Sequence, residues 1–243
     1  MPRHEYPRPQ LQRVNWTSLD GPWSFLFDDE KKFERPGDIK EWPMTIEVPY
    51  SPEAKLSGIG DCGLHRACWY QRKFTVNAAG GRILLHFGAV DYEASVWVND
   101  FFVAHHEGGH TPFYADITFA LEGEGDQVVT VYVQDDPEDL AKPRGKQDWQ
   151  LEPHSIWYPR TTGIWQTVWV ERVSRSYIKK ISWTPNMDGF EIGLEAYVDG
   201  DVRDDLVMDV VLWHGKKLLA RDSYQVIDGE VSRRISLSDP GID

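Results

Sequence analysis

The chain has 243 residues, 41% of them hydrophobic and 27% charged, enough for one large or two ordinary soluble domains. A formal charge of −13 argues against nonspecific binding to nucleic acid, which rests on an excess of Lys and Arg, and no apolar run is long enough to cross a bilayer. The first residues carry no apolar segment of the secretory kind, so a cytoplasmic location is expected.

Aromatic residues reach 13%, with 11 tryptophans, and this enrichment favours strands. In chain order, Trp23–Phe27 alternates apolar and polar positions, and so does Trp69–Val76. Arg82–Phe87 and Ala89–Val98 carry β-branched or aromatic side chains on one parity. Val96–Val103 reads as a hairpin turning at Asn99-Asp100. Gln127–Gln134 alternates through Val129, Val131 and Val133. Helical signal is confined to short stretches such as Pro52–Leu56 and Glu138–Ala141. Many short strands without a long amphipathic helix predict an all-β fold of sandwiches.

A boundary is expected near Ser174-Arg175-Ser176. Residues 1–175 have the size of a jelly-roll sandwich. Residues 176–243 restart the pattern with five strand candidates: Tyr177–Trp183, Phe190–Val198, Leu206–Trp213, Lys217–Val226 and Glu230–Leu237. An immunoglobulin-type sandwich takes about seven strands. The second domain is therefore expected to be a partial or small immunoglobulin-like β-sandwich, and a truncated one is preferred because missing strands leave a sheet edge unpaired.

The two cysteines, Cys62 and Cys68, share one Gly-rich region. Reduced thiols are preferred over a small loop disulfide in a cytoplasmic chain. A zinc site would need about four ligands and no second metal-type pair follows, so no metal is expected. His105, His106 and His110 surround a Gly-Gly turn, and a turn is the preferred reading over a metal site.

The most informative stretch is Ser155–Glu171, which joins an aromatic-rich loop to a strand through Arg160-Thr161-Thr162-Gly163. Alternation would put Ile164, Gln166, Val168 and Val170 on one face, and Trp165, Thr167, Trp169 and Glu171 on the other.

Several blocks together resemble the N-terminal part of glycoside hydrolase family 2, which includes β-galactosidases, β-glucuronidases and β-mannosidases. They are Leu19–Phe25, Val48-Pro49-Tyr50 with Trp69–Phe74, and Leu85–Asn99, the most specific of them. Gly108–Phe113 with Asp116–Thr118 follows, and Arg160–Trp169 closes the series. The resemblance covers 14–172 and extends weakly over 176–243, where the family places an immunoglobulin-like sandwich. It implies a β-galactosidase-like parent that hydrolyses β-glycosides with retention, a homo-oligomer, using two carboxylates about 5–5.5 Å apart. The family carries both on a C-terminal (β/α)₈ barrel of about 250 residues, for which this chain has no room. The family's acid/base sits in an Asn-Glu dipeptide. Here Asn15, Asn77, Asn99 and Asn186 are followed by Trp, Ala, Asp and Met. No catalytic residue and no cofactor are therefore expected in this chain, whose β-glycoside substrate would be shared with the barrel.

The segment 135–163 holds Pro137, Pro143, Pro153 and Pro159 with little strand signal, and loops of that length are usually functional or disordered. Aromatic planes can cover the C–H faces of a sugar while charged and amide groups bond its hydroxyls. Asp148, Trp149, Glu152, His154, Trp157, Tyr158 and Arg160 are the candidate carbohydrate-binding residues, and the resemblance implies that their loop helps close the sugar pocket. Relatives carry an Asp a few residues before the glycine matching Gly163; Trp157 stands at about that place here. Competing readings stay open. Loop tryptophans also plug gaps, Arg160 can pin its turn through carbonyls, and Asp135 and Asp136 at a strand end read as solvated acids. Trp165 and Trp169 read as packing. A free-standing carbohydrate-binding module is the alternative to a hydrolase fragment.

Overall fold

A computed structural model of the chain describes residues 5–77, 80–123 and 125–237. Strands make up 50% and helix 4%, the latter three single-turn 3₁₀ segments, so the fold is all-β. The chain divides into two compact units: 14–172, and 173 onward together with Tyr6–Arg13. That the segment before the first strand joins the second unit left no mark in the sequence pattern.

The first unit contains β1 (Trp16–Ser18), β2 (Gly21–Phe27), β3 (Met44–Val48), β4 (Ala67–Thr75), β5 (Arg82–Phe87), β6 (Val90–Asp91), β7 (Glu93–Val98) and β8 (Phe101–Glu107). It continues with β9 (Phe113–Asp116), β10 (Asp126–Gln134), β11 (Gly163–Ile164) and β12 (Val168–Val173). They form a six-stranded sheet in the order β3-β2-β4-β10-β7-β8 and a four-stranded sheet in the order β1-β12-β5-β9. Period-2 alternation turns Phe25, Tyr70, Val96 and Val131 of the first sheet toward Leu85, Phe87, Val168 and Val170 of the second, and all are buried in one core. Each such side chain contributes about 1.5–3 kcal/mol by leaving water.

The turn at Asn99-Asp100 has both residues in the left-handed region, φ 47° and 65°, the geometry that matches the twist of a two-residue hairpin. On the outer face of the larger sheet, Trp69 is fully buried beneath Phe33, Ile39 and Trp42. It stacks on Tyr132 and Trp97 at 4.4 and 5.6 Å between ring centroids and donates Nε1–H to Asp28 Oδ2 at 3.0 Å. Much of the aromatic richness is thus spent on packing.

The alternation expected from Ile164 to Glu171 is interrupted. Ile164 pairs with Val90 in the short β6–β11 ladder, and the ladder resumes only at Val168. Trp165 instead turns its Nε1–H to Gly109 O at 2.7 Å. Trp169 is buried outside the main core, stacked on His86, whose Nε2 lies 2.8 Å from Glu171 Oε1. The helix expected at Glu138–Ala141 is absent; those residues form turns, with Asp139 Oδ1 taking the Ala141 N–H. Of the helical stretch expected at Pro52–Leu56, only its end is helical, in one 3₁₀ turn over Lys55–Ser57. Cys62 is exposed and Cys68 buried, and both are free thiols.

The second unit holds β13 (Ser176–Asn186), β14 (Glu191–Gly200), β15 (Val207–His214), β16 (Lys217–Gln225) and β17 (Glu230–Ser236). A three-stranded sheet β13-β14-β17 and a two-stranded sheet β15-β16 share a core of Leu194, Ala196, Met208, Val210, Val226, Val231 and Ile235. Among the described residues these two sheets form a small β-sandwich.

Candidate functional site

The chain leaves the six-stranded sheet at Gln134 and resumes strand pairing at Gly163, where β11 joins β6 in a separate two-stranded sheet. The intervening loop makes few backbone ladders, yet buried ionic and amide groups hold it against the first unit. Asp135 is 3% exposed and its carboxylate accepts from three donors: Lys142 Nζ, Arg160 Nη2 at 2.5 Å and Thr162 Oγ1 at 3.1 Å. Arg160 Nη2 also donates to Asp135 O at 2.7 Å, and Lys142 Nζ to Asp136 O at 2.8 Å. The solvated reading of Asp135 is therefore corrected: the loop folds over it, and Lys142 and Arg160 take the place of the water that would otherwise solvate its charge.

A second tether runs through Asp91. Gln147 Nε2 donates to Asp91 Oδ2 at 2.6 Å, and Gln147 Oε1 accepts the Thr161 N–H at 2.9 Å. A third is the Thr162 N–H to Glu53 Oε2 at 3.2 Å. Burial, and next the charge of Asp135, pushes the Asp91 carboxyl above its ordinary range, and burial does the same to Glu53. The side chains leave a cavity of only about 10 Å³ among Asp91, Asp135, Lys142, Gln147 and Arg160, about the minimum for one water. No sugar fits inside this cluster; it is an anchor.

Gly163 sits at φ 80°, and a Cβ there would lie 2.0 Å from Tyr70 Oη. The loop can close onto the sandwich only because that side chain is missing.

The predicted binding residues separate into two groups. Asp148 and Arg160 are occupied internally. Asp148 Oδ1 accepts the Gln150 N–H at 3.0 Å, and Oδ2 accepts the His154 N–H and faces His154 Nδ1, both at 2.7 Å. Burial works against ionisation of Asp148, but these hydrogen bonds outweigh it and hold the carboxyl below its ordinary range. Arg160 pins the turn, partly through a carbonyl. Trp149, Glu152 and Tyr158 are exposed, and His154 and Trp157 are half-buried. Trp149 makes edge contacts with His154 at 5.4 Å and with Trp157 at 5.3 Å. Leu151 and Ile156 are also exposed, 59% and 66%, so the tip of the loop presents apolar surface to solvent on a rigid base.

Sequence reasoning gave no role to Glu53, Lys142 and Thr162; it read Asp91 as structural, and noted Gln147 in the loop without placing it among the candidate binding residues. The one signal available was the pairing of acids at 135–136 with Lys142 and Arg160 in a short, proline-rich stretch. His105 lies against Ser95 and Glu93, and His106 against Thr111, so these histidines serve separate partners. Among the described residues no cluster could hold a metal ion. A larger hollow, about 700 Å³, lies in the second unit over Gly193. It is an open surface hollow, and the aromatic residues of the loop tip are not part of it.

Residues 41–173 match the sequence profile of the sugar-binding domain of glycosyl hydrolases family 2. The chain belongs to this family. Among curated relatives, the β-glucuronidase of the dog is 36% identical over 128 residues, which are 46% of this chain and 19% of that protein. The β-glucuronidase of Paenibacillus borealis is 26% identical over 227 residues, 83% of this chain and 37% of that protein. A β-galactosidase of Thermoanaerobacter pseudethanolicus is 32% identical over 116 residues, 46% of this chain and 14% of that protein. The solved β-glucuronidase of Bifidobacterium dentium in complex with coumarin-3-O-glucuronide has a TM-score of 0.71 at 20% identity, covering 92% of this chain and 42% of that one. That of Faecalibacterium prausnitzii has 0.69 at 24%, covering 97% and 42%. These structures share the fold. This family 2 chain therefore spans less than half the length of the relatives it matches.

Proposed function

We propose that the chain is the non-catalytic N-terminal region of a retaining family 2 glycoside hydrolase acting on β-glycosides, and that loop 135–163 forms one wall of its sugar pocket. The observation that carries the reading is the division of labour in that loop. A buried cluster on Asp135 and Asp91 fixes its base, while Trp149 and Tyr158 are exposed and Trp157 is half-buried against Trp149. Aromatic planes on a rigid loop suit the C–H faces of a pyranose. The longer β-glucuronidases and β-galactosidases among the relatives support a parent of the same class. The Asp91 and Asp135 carboxylates, which the loop gathers, are buried under it and committed to partners within the protein, Asp135 to three donors, and so are closed off from a substrate.

The purified chain should release no nitrophenol from nitrophenyl β-glucuronide or β-galactoside. It should bind the free methyl glycosides only weakly, in the millimolar range, roughly −4 kcal/mol, because half a site offers few contacts against the cost of association. Turnover that follows the protein through repurification refutes the non-catalytic assignment. Micromolar binding to a polysaccharide would instead favour a free-standing carbohydrate-binding module.

A further inference from the structure

Asp148 and His154 form a geometric pair that nothing in the sequence pattern announces. The Asp148 side chain is 1% exposed and the His154 side chain 40%. Asp148 Oδ2 lies 2.7 Å from His154 Nδ1 and also accepts the His154 backbone N–H at 2.7 Å, so backbone and ring are clamped by one oxygen. The hydrogen bonds that hold the carboxyl below its ordinary range keep it ionised, and an ionised carboxylate only accepts. The proton of the contact must therefore sit on Nδ1. In the neutral ring that leaves the lone pair on Nε2, at the end of the imidazole away from Asp148. The ring is also fixed laterally: Trp149 meets it edge-on at 5.4 Å and 86°, and Trp149 meets Trp157 at 5.3 Å and 64°. A single acceptor nitrogen of defined tautomer thus stands beside the Trp149 indole, which in turn meets Trp157, on an anchored loop tip.

We propose that Asp148 orients His154 so that Nε2 accepts a hydrogen bond from a hydroxyl of a pyranoside whose ring lies against Trp149 and Trp157. This rests on the reading of 135–163 as a pocket wall and adds to it the polar contact and its class. The contact reads a hydroxyl and not a charged group of the sugar, and Asp148 is a positioning residue that does not touch the ligand.

Heteronuclear NMR of the intact chain with labelled histidine and tryptophan tests this, with methyl β-D-glucopyranoside and methyl β-D-glucuronide as probes. In the free chain, His154 should carry its ring proton on Nδ1 near pH 8. Millimolar amounts of either glycoside should shift His154 Nε2 and the Trp149 and Trp157 indoles along one saturation curve. The variant His154→Phe keeps the ring contact with Trp149 and removes both ring nitrogens, while the backbone N–H at 154 still donates to Asp148 Oδ2. It should weaken binding about 3- to 10-fold, the range of one hydrogen bond, with the indole signals still reporting. Indole shifts without any change at His154 would overturn the hydroxyl contact while leaving the pocket-wall reading intact. No shift at either would overturn both. A response to the glucuronide alone would mean that charge is read, and a proton found on Nε2 in the free chain would show that Asp148 does not set the tautomer. Either result refutes the proposal.

Discussion

Replacing Arg160 with Ala should loosen the loop and lower the stability of the first unit by an amount that the contacts allow us to bound. The Arg160 and Asp135 side chains are 8% and 4% exposed and their terminal atoms are 2.5 Å apart, so the pair is buried. Breaking a buried pair from one side costs about 3–5 kcal/mol, most of it from stranding the remaining charge. Two features reduce that figure here. Asp135 keeps Lys142 and Thr162 as donors, and Arg160 Nη1 is buried without a protein hydrogen-bond partner, so the guanidinium already carries uncompensated desolvation. About 2–3 kcal/mol is the expected loss, or roughly 5–10 °C in melting temperature for a unit of this size. Asp135→Ala should cost more, because it leaves two buried cations facing each other. Calorimetry gives the temperatures, and amide hydrogen exchange locates the change, which should concentrate in 136–161. The double variant should be non-additive by about 1–3 kcal/mol, since the residues share one contact. An Arg160→Ala protein that melts within about 2 °C of the parent, with unchanged exchange in the loop, would show that the cluster does not hold the loop.

Two further substitutions test the anchor. Gly163→Ala places a Cβ at φ 80° against Tyr70 Oη and should destabilise by about 3 kcal/mol or more; a melting temperature equal to the parent's would contradict the close approach. Asp91 and Glu53 have folded-state values raised above the ordinary 3.8 and 4.5, so the folded protein binds their protons more readily than the unfolded chain. Their contribution to stability is then most favourable below those ordinary values and falls as pH rises toward the raised ones. Asp91→Asn, which keeps an acceptor for Gln147, should remove part of that slope and leave the protein at least as stable near neutral pH. Denaturant melts of both proteins at several pH values check this, and a wild type that gains stability over the variant as pH rises would reverse the sign.

The strands were legible because alternation is a local property. Val129, Val131 and Val133 point inward on any sheet that contains β10, and the hairpin at Asn99-Asp100 follows from residue types that tolerate the left-handed region. All five strand candidates after Tyr177 correspond to strands. β1, β3 and β9 were missed, and β11 is two residues long, too short for periodicity to register. Trp165 to Thr167 misled the reading because the ladder breaks there, and Trp165 serves Gly109 across 56 residues of sequence. The anchor was illegible for a related reason. Its bonds join residues 25, 56 and 109 positions apart, and neither composition nor spacing announces which acid a given arginine will meet.

Burial is what separates the two halves of the predicted binding set. Composition alone gave Asp148 and Arg160 the same standing as Trp149 and Tyr158, since all are residues that contact sugars. A buried charge must find its partner within the protein, because desolvation without pairing costs several kcal/mol, so a charged residue folded under a loop is already committed. An exposed tryptophan carries no such obligation, and ordering it in advance lowers the entropy that a ligand must offset on arrival. Commitment at the base and availability at the tip therefore depend on each other. The bonds that Asp91, Asp135 and Asp148 accept hold 135–163 in one conformation, and that conformation sets Trp149, His154 and Trp157 together at the tip of the loop.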